Sequence, residues 1–175
     1  MTRAICVCFH LYTPFGKIYY EPILTFFLSQ MNKYKDEYNT LYLIDSTWNI
    51  SPATHTLPPN VIVIKVNPSL RYYDAYKEVL PQIKEDLVLF LDNDFIIYKK
   101  GIIKKAFDLL QIPDDWRKLT KYDVVSIIDQ IGEYKTNKLN YGNKLCPYFF
   151  ATRKELLMKY LNIDWGPNMP EHETL

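Results

Sequence analysis

The residues with the clearest chemical potential are two aspartates one position apart, in the triplet Asp92-Asn93-Asp94. They follow the apolar run Leu87–Leu91, which is typical of a buried strand, so the triplet is expected where that strand ends. Two carboxylates at such a rigid position present hard oxygen ligands to Mg²⁺ or Mn²⁺, and diphosphate oxygens can complete the shell. The alternative is ordinary turn chemistry, which Asp and Asn favour. The buried strand before the triplet favours the metal site.

Polar residues also follow two other predicted strands. Residues 10–12 (His-Leu-Tyr) come after the first strand, and residues 45–47 (Asp-Ser-Thr) come after the second. Ligands of open parallel sheets bind beyond the carboxyl ends of the strands, where loops and helix N-termini lie. We therefore predict that these two segments and the aspartate triplet meet at one edge of a sheet.

A doubly wound α/β sheet would position these residues. Strands alternate with amphipathic helices along the chain, which predicts mostly parallel strands with helices on both faces. Because Leu87–Leu91 shows no polar alternation, its strand is expected to be central. Strands are predicted at residues 4–9, 41–45, 61–66, 87–91 and 124–128, and a strand followed by a helix at 148–161. Helices are predicted at about 21–34, 70–84 and 101–110, with a loop at 13–16.

Composition limits the class of protein. The chain has 175 residues, 48% of them hydrophobic, which predicts one domain over residues 1–175. A net charge of +1 argues against nucleic acid as the main partner. The apolar run Ala4–Phe9 is too short for a signal peptide or a membrane span, so we expect a cytoplasmic protein. The three cysteines lack zinc-site spacing, and Cys6 and Cys8 are expected in the core.

This arrangement resembles the family-two-like glycosyltransferases, which have the GT-A fold of nucleotide-diphospho-sugar transferases. The resemblance rests on a second strand ending in Asp45, a third ending in Asn67-Pro68, and the D-x-D motif within Leu89–Phe95. Cys146–Leu156 resembles the family's later strand and helix, and Pro170–Glu173 stands where an acidic catalytic motif often follows. The resemblance implies transfer of a sugar from a nucleoside-diphosphate donor, preferably a UDP-sugar, to an acceptor hydroxyl. It also implies dependence on Mn²⁺ or Mg²⁺. We expect transfer with inversion, and the sequence leaves retention open as the alternative.

The resemblance implies roles for individual residues as well. Asp92 and Asp94 would bind the metal, Asp92 and Asn93 would contact the donor, and Asp45 would hold its uracil or ribose. Further candidates are Tyr12 and Trp48 beside the nucleobase, Arg71 at a phosphate, His172 as a metal ligand, and Glu171 or Glu173 as the general base. The alternatives are a loop anchor for Trp48, surface positions for Arg71 and His172, and a solvated chain end for the two glutamates.

The sequence departs from the family pattern at three places. Ile44–Trp48 replaces the family's acid pair followed by Gly-Ser, and Ser69–Asp74 replaces a Gly-rich, Arg-Asn helix start. The sequence ends at Leu175, directly after the acidic segment. We therefore expect part of the acceptor side to be missing.

Two other classes of protein remain open. A strand followed by Asp-x-Asp is also the signature of haloacid-dehalogenase-like phosphatases, in which the first acid is the nucleophile and the second the acid/base. That motif normally opens its domain, whereas three predicted strands precede it here and the paired acids Asp114-Asp115 lie in a loop. The other alternative is a noncatalytic nucleotide-sugar-binding module, which suits a short acceptor side.

Overall fold

The computed structural model describes residues 1–9, 14–51, 53, 55–70, 72–111, 124–126 and 149–160. Strands and helices largely alternate along the chain. The strands are β1 (Arg3–Phe9), β2 (Thr40–Asp45), β3 (Val61–Lys65), β4 (Leu87–Asp92), β5 (Val124–Ser126) and β6 (Phe149–Arg153). The helices are α1 (Pro14–Lys33), α2 (Tyr72–Val79), α3 (Ile102–Leu110) and α4 (Lys154–Tyr160), with 3₁₀ turns at Lys35–Glu37 and Leu80–Gln82. None of these described helices is long and apolar enough to span a membrane.

The six described strands form one sheet in the order β3-β2-β1-β4-β6-β5. β1 pairs in parallel with β2 and β4, and β2 pairs in parallel with β3. β6 runs antiparallel to both β4 and β5. The predicted mostly parallel α/β sheet is therefore confirmed. The direction of β6 was not predicted, because the side-chain pattern of a strand is the same whichever way its neighbour runs.

The strand register brings the carboxyl ends of β2, β1 and β4 to the same level. Cys8 of β1 lies opposite Asp92 of β4, and Phe9 of β1 lies opposite Asp45 of β2. The chain leaves β1 for β2 and β3 on one side and later returns to β4 on the other. This is a topological switch point, the place where open α/β sheets bind ligands.

The central strand β4 is buried on both faces. Its three leucines pack in one apolar cluster with residues of α1 and α3. Val88 and Phe90 pack in a second cluster with residues of α2. This two-sided burial confirms the prediction made from the continuous apolar run. Cys6 and Cys8 are fully buried in the second cluster, as predicted.

Two helices differ from their predicted bounds at proline residues. α1 begins at Pro14 instead of near residue 21, so the loop predicted at 13–16 is wrong from Pro14 onward. Proline is tolerated in the first turn of a helix, where a backbone N–H would have no partner. The predicted helix at 70–84 is shorter, because α2 ends at Val79 and a 3₁₀ turn containing Pro81 follows.

Candidate functional site

The aspartate triplet lies where β4 ends, in the position expected from the sequence. Asp92 is the last residue of β4, and Asn93 and Asp94 form the turn that follows. The backbone N–H of Phe95 donates to the carbonyl oxygen of Asp92 at 3.2 Å and closes this turn. Asp94 is exposed, whereas Asp92 and Asn93 are half-buried. The turn is therefore reachable by a ligand from solvent.

Cys8 lies in β1 between the acids that end β2 and β4. Burial raises the pKa of Cys8 to about 12, with further contributions from the carboxylates of Asp92 and Asp45. The acids at the ends of β4 and β2 are thus both close enough to act on one side chain of the strand between them.

The carboxylate of Asp45 organises the loop after β2. Its Oδ1 atom accepts hydrogen bonds from the backbone N–H groups of Thr47 (2.8 Å) and Trp48 (3.0 Å), and from the Thr47 hydroxyl (2.5 Å). Its Oδ2 atom accepts one from the N–H of Ile50 at 3.0 Å. The side chain is fully buried. Asp45 therefore shapes the loop, and the contact with uracil or ribose that the resemblance implies stays a prediction.

We expect Asp45→Ala to lower the free energy of unfolding by about 2–4 kcal/mol, because several loop N–H groups would lose their acceptor. If Asp45 or the loop it holds contacts a nucleotide, binding should also weaken by roughly 1–3 kcal/mol. Urea unfolding measures the first effect and calorimetric titration the second. Thr47→Val is the matched control, since it removes the hydroxyl that donates to Asp45 and accepts from the Asn49 N–H, and leaves the carboxylate in place. Unchanged nucleotide affinity in Asp45→Ala would remove Asp45 from the site.

A buried glutamine of α1 holds the segment that follows the triplet. The Gln30 Nε2 atom donates to the carbonyl oxygen of Phe95 at 2.8 Å, and its Oε1 atom accepts from the N–H of Ile97 at 2.7 Å. The Tyr34 hydroxyl donates to the carbonyl oxygen of Ile97 at 2.7 Å. Two hydrogen bonds from α1 and one from the residue directly after it therefore fix the backbone that follows Asp94. Neither Gln30 nor Tyr34 is among the predicted site residues.

The remaining candidate site residues lie outside the described part of the chain, so their roles stay predictions. They are Tyr12, Arg71, Glu171, His172 and Glu173. Within the described ranges, no group of three or more His, Cys, Asp or Glu side chains is placed to hold a metal ion. Asp92 and Asp94 would therefore supply only part of a metal shell, and other ligands would have to complete it.

Two cavities lie at the opposite edge of the sheet. One, of about 320 Å³, is lined by residues beside the starts of β2 and β3, including Leu41 and Val61. The other, of about 430 Å³, lies beside the start of β4 and the end of β6 and includes Leu87 and Arg153. Neither cavity contains the triplet. We place the candidate site at the carboxyl edge, because the paired acids Asp92 and Asp94 and the switch point coincide there.

No protein-family model and no curated protein matches this sequence, whereas solved structures do match the fold. 4-Diphosphocytidyl-2C-methyl-D-erythritol synthase from Anaerococcus prevotii is 15% identical with a TM-score of 0.60, covering 96% of this chain and 78% of that one. The mannosyltransferase PcManGT from Pyrobaculum calidifontis was solved with GDP-Man and Mn²⁺. It is 15% identical with a TM-score of 0.60, and the match covers 90% of this chain and 46% of PcManGT. TarS 1–349 from S. aureus is 19% identical with a TM-score of 0.57, and the match covers 91% of this chain and 49% of the TarS chain.

The chain spans about half the length of the PcManGT and TarS structures and a larger share of the synthase. At these identities the likeness concerns the fold. It extends over nine-tenths or more of this chain in all three comparisons. This chain therefore has the GT-A-like fold of nucleotide-diphospho-sugar transferases.

Proposed function

We propose that this chain binds a nucleoside-diphosphate sugar, preferably a UDP-sugar, and transfers the sugar to an acceptor hydroxyl with inversion. The observation that carries the proposal is the pair Asp92 and Asp94 in an accessible turn beside the switch point of the sheet. Support also comes from the same fold in PcManGT, which was solved with GDP-Man and Mn²⁺. Acids at this edge suit a metal-bound diphosphate.

The donor set of this turn fits Mg²⁺ or Mn²⁺. Both ions favour oxygen ligands, and such ions keep positions for water and phosphate oxygens when a protein supplies only one or two carboxylates. Asp92 and Asp94 would hold the ion, and His172 is the candidate for a further ligand. When bound, the ion would offset the charge that develops on the leaving diphosphate.

The remaining candidates have separate tasks in this proposal. Asn93 and Tyr12 would contact the donor, and Arg71 would meet a phosphate. Glu171 or Glu173 would take the proton from the acceptor hydroxyl, because a neutral hydroxyl is a poor nucleophile. An inverting transfer requires this base on the side of the sugar opposite the diphosphate.

Nucleotidyl transfer is a second candidate, favoured by the same fold in a cytidylyltransferase from Leptospira borgpetersenii, which is 15% identical with a TM-score of 0.59. The two reactions differ in the bond that breaks. Glycosyl transfer releases a nucleoside diphosphate from a nucleotide sugar, whereas nucleotidyl transfer releases pyrophosphate from a nucleoside triphosphate.

Thermal unfolding with nucleotides, with and without Mn²⁺, tests the proposal. UDP together with Mn²⁺ should raise the melting temperature more than either alone, since a ligand at 100 times its Kd stabilises by about 2.7 kcal/mol. An equal response to inorganic phosphate, with no effect of nucleotide, would contradict it. Release of UDP from a UDP-sugar would support glycosyl transfer, and release of pyrophosphate from a nucleoside triphosphate would support the second candidate. Nucleotide binding with neither release would indicate a noncatalytic module.

A further inference from the structure

Trp48 adopts a backbone conformation that is unfavourable for a large side chain. Its φ angle is +62°, and it is the one non-glycine residue with positive φ in the described part of the chain. Bulky residues rarely occupy this left-handed region, and such conformations cluster at ligand sites, where the surrounding structure holds them. The hydrogen bond from the Trp48 N–H to the Asp45 carboxylate provides that restraint here.

The indole ring is fixed yet remains open to solvent. Its Nε1–H group donates to the carbonyl oxygen of Val66 at 2.7 Å, which ties the ring to the end of β3. The Lys65 ammonium lies 5.6 Å from the ring centroid. Even so, 57% of the residue is exposed. The exposed part of the ring can therefore contact a ligand while its N–H stays bonded to Val66.

The position of the ring relative to the acids suggests what it could contact. Trp48 follows β2 and its ring is bonded to Val66 beyond the end of β3, whereas Asp92 ends β4. In the order β3-β2-β1-β4, the ends of β2 and β3 are two and three strand positions from β4, which is about 10 and 14 Å. A nucleoside diphosphate with its phosphates near Asp92 is long enough to reach the ring with its base. In doubly wound sheets that bind dinucleotides, the ribose is likewise held near the end of the second strand.

We propose that Trp48 is a stacking platform for the nucleobase of the donor, an inference that rests on the proposed nucleotide-sugar function. The loop bonds of Asp45 and the bond to Val66 hold the ring in place before the ligand arrives, which reduces the entropy lost on binding. Lys65 adds positive charge at the same end of the site, which favours an anionic nucleotide.

Calorimetric titration of the full chain with UDP, CDP, GDP and pyrophosphate, each with Mn²⁺, tests this inference. Trp48→Ala should weaken binding of the preferred nucleotide by about 5- to 150-fold, the range that loss of one base-stacking ring produces. Pyrophosphate affinity should not change, because pyrophosphate has no base. Trp48→Phe keeps an aromatic ring without the bond to Val66 and should retain affinity within about threefold.

Phe26→Ala is the matched control, because Phe26 is an aromatic residue of α1 with 49% exposure. Phe26→Ala should leave the affinities for the preferred nucleotide and for pyrophosphate unchanged. If Trp48→Phe and Trp48→Ala lost nucleotide affinity equally, the ring would serve only to anchor the loop, and the inference would be overturned. Unchanged nucleotide affinity in a folded Trp48→Ala would overturn it as well, while leaving the proposed function intact. If the wild-type chain bound pyrophosphate but no nucleotide, the proposed function itself would fail.

Discussion

Replacing Asp92 or Asp94 by asparagine should remove the Mn²⁺-dependent part of nucleotide binding and leave the protein folded. Asparagine has nearly the same shape as aspartate but lacks the charge that a divalent cation requires. Transfer should fall by at least about 100-fold, because a bound metal contributes several kcal/mol of charge stabilisation. Asp94 is exposed, so Asp94→Asn should change the free energy of unfolding by no more than about 0.5 kcal/mol. Calorimetric titration of nucleotide with and without Mn²⁺, together with urea unfolding, measures both quantities.

Asp36→Asn is the control for this pair, because Asp36 is an exposed acid in the 3₁₀ turn before β2, near the opposite edge of the sheet. It makes the same change in net charge without touching the triplet. A Mn²⁺ response that survives in both Asp92→Asn and Asp94→Asn would exclude the triplet as the metal site. Unfolding of Asp94→Asn would instead assign that residue to turn structure.

Gln30→Leu is expected to cause the second large loss, although Gln30 lies on a helix and not in the turn. The substitution keeps approximate size but leaves the Phe95 carbonyl and the Ile97 N–H without their partners. Each unpaired buried group costs about 1–3 kcal/mol, so the free energy of unfolding should fall by about 2–5 kcal/mol. Mn²⁺-dependent nucleotide binding should weaken too, because the backbone after Asp94 would lose its support.

A second buried side chain provides a control that separates stability from metal binding. Glu37 accepts hydrogen bonds from the N–H groups of Gly101 (2.8 Å) and Lys104 (3.0 Å), and so caps the start of α3. Glu37→Gln should lower stability, since a charge-assisted cap is lost, while Mn²⁺-dependent binding stays as in the wild type. Stability and binding are measured by urea unfolding and titration. If Gln30→Leu also kept full Mn²⁺-dependent binding, Gln30 would be a purely structural residue.

Local sequence patterns were sufficient for the central strand and the position of the acids. A run of five apolar residues without alternation can be satisfied only by burial on two faces, which the packing of Leu89 and Phe90 into different clusters shows. The residues directly after such a strand must lie at the sheet edge. The place of Asp92 and Asp94 followed from that rule without knowledge of the other strands.

Long-range hydrogen bonds could not be predicted in the same way. The sequence did not reveal that Asp45 holds its own loop, because an acid after a strand has the same pattern whether it caps a loop or meets a ligand. The left-handed backbone of Trp48 had no sequence signal either, since glycine or asparagine normally occupies that region. Gln30 did carry a signal. It lies three residues after Phe27 and four before Tyr34, on the buried stripe of α1.

We expect the candidate site to form late in folding, because it depends on the pairing of β1 with β4. Arg3 pairs with Leu87, so this contact closes a loop of more than 80 residues, whereas β1 and β2 are joined by a much shorter stretch. The entropy lost on closing a loop rises with its length, and distant pairings slow folding. During synthesis, the β1-α1-β2 unit can pair before β4 has left the ribosome. A nascent chain at that stage would contain Asp45 and its loop, but the edge that carries Asp92 and Asp94 would not yet exist.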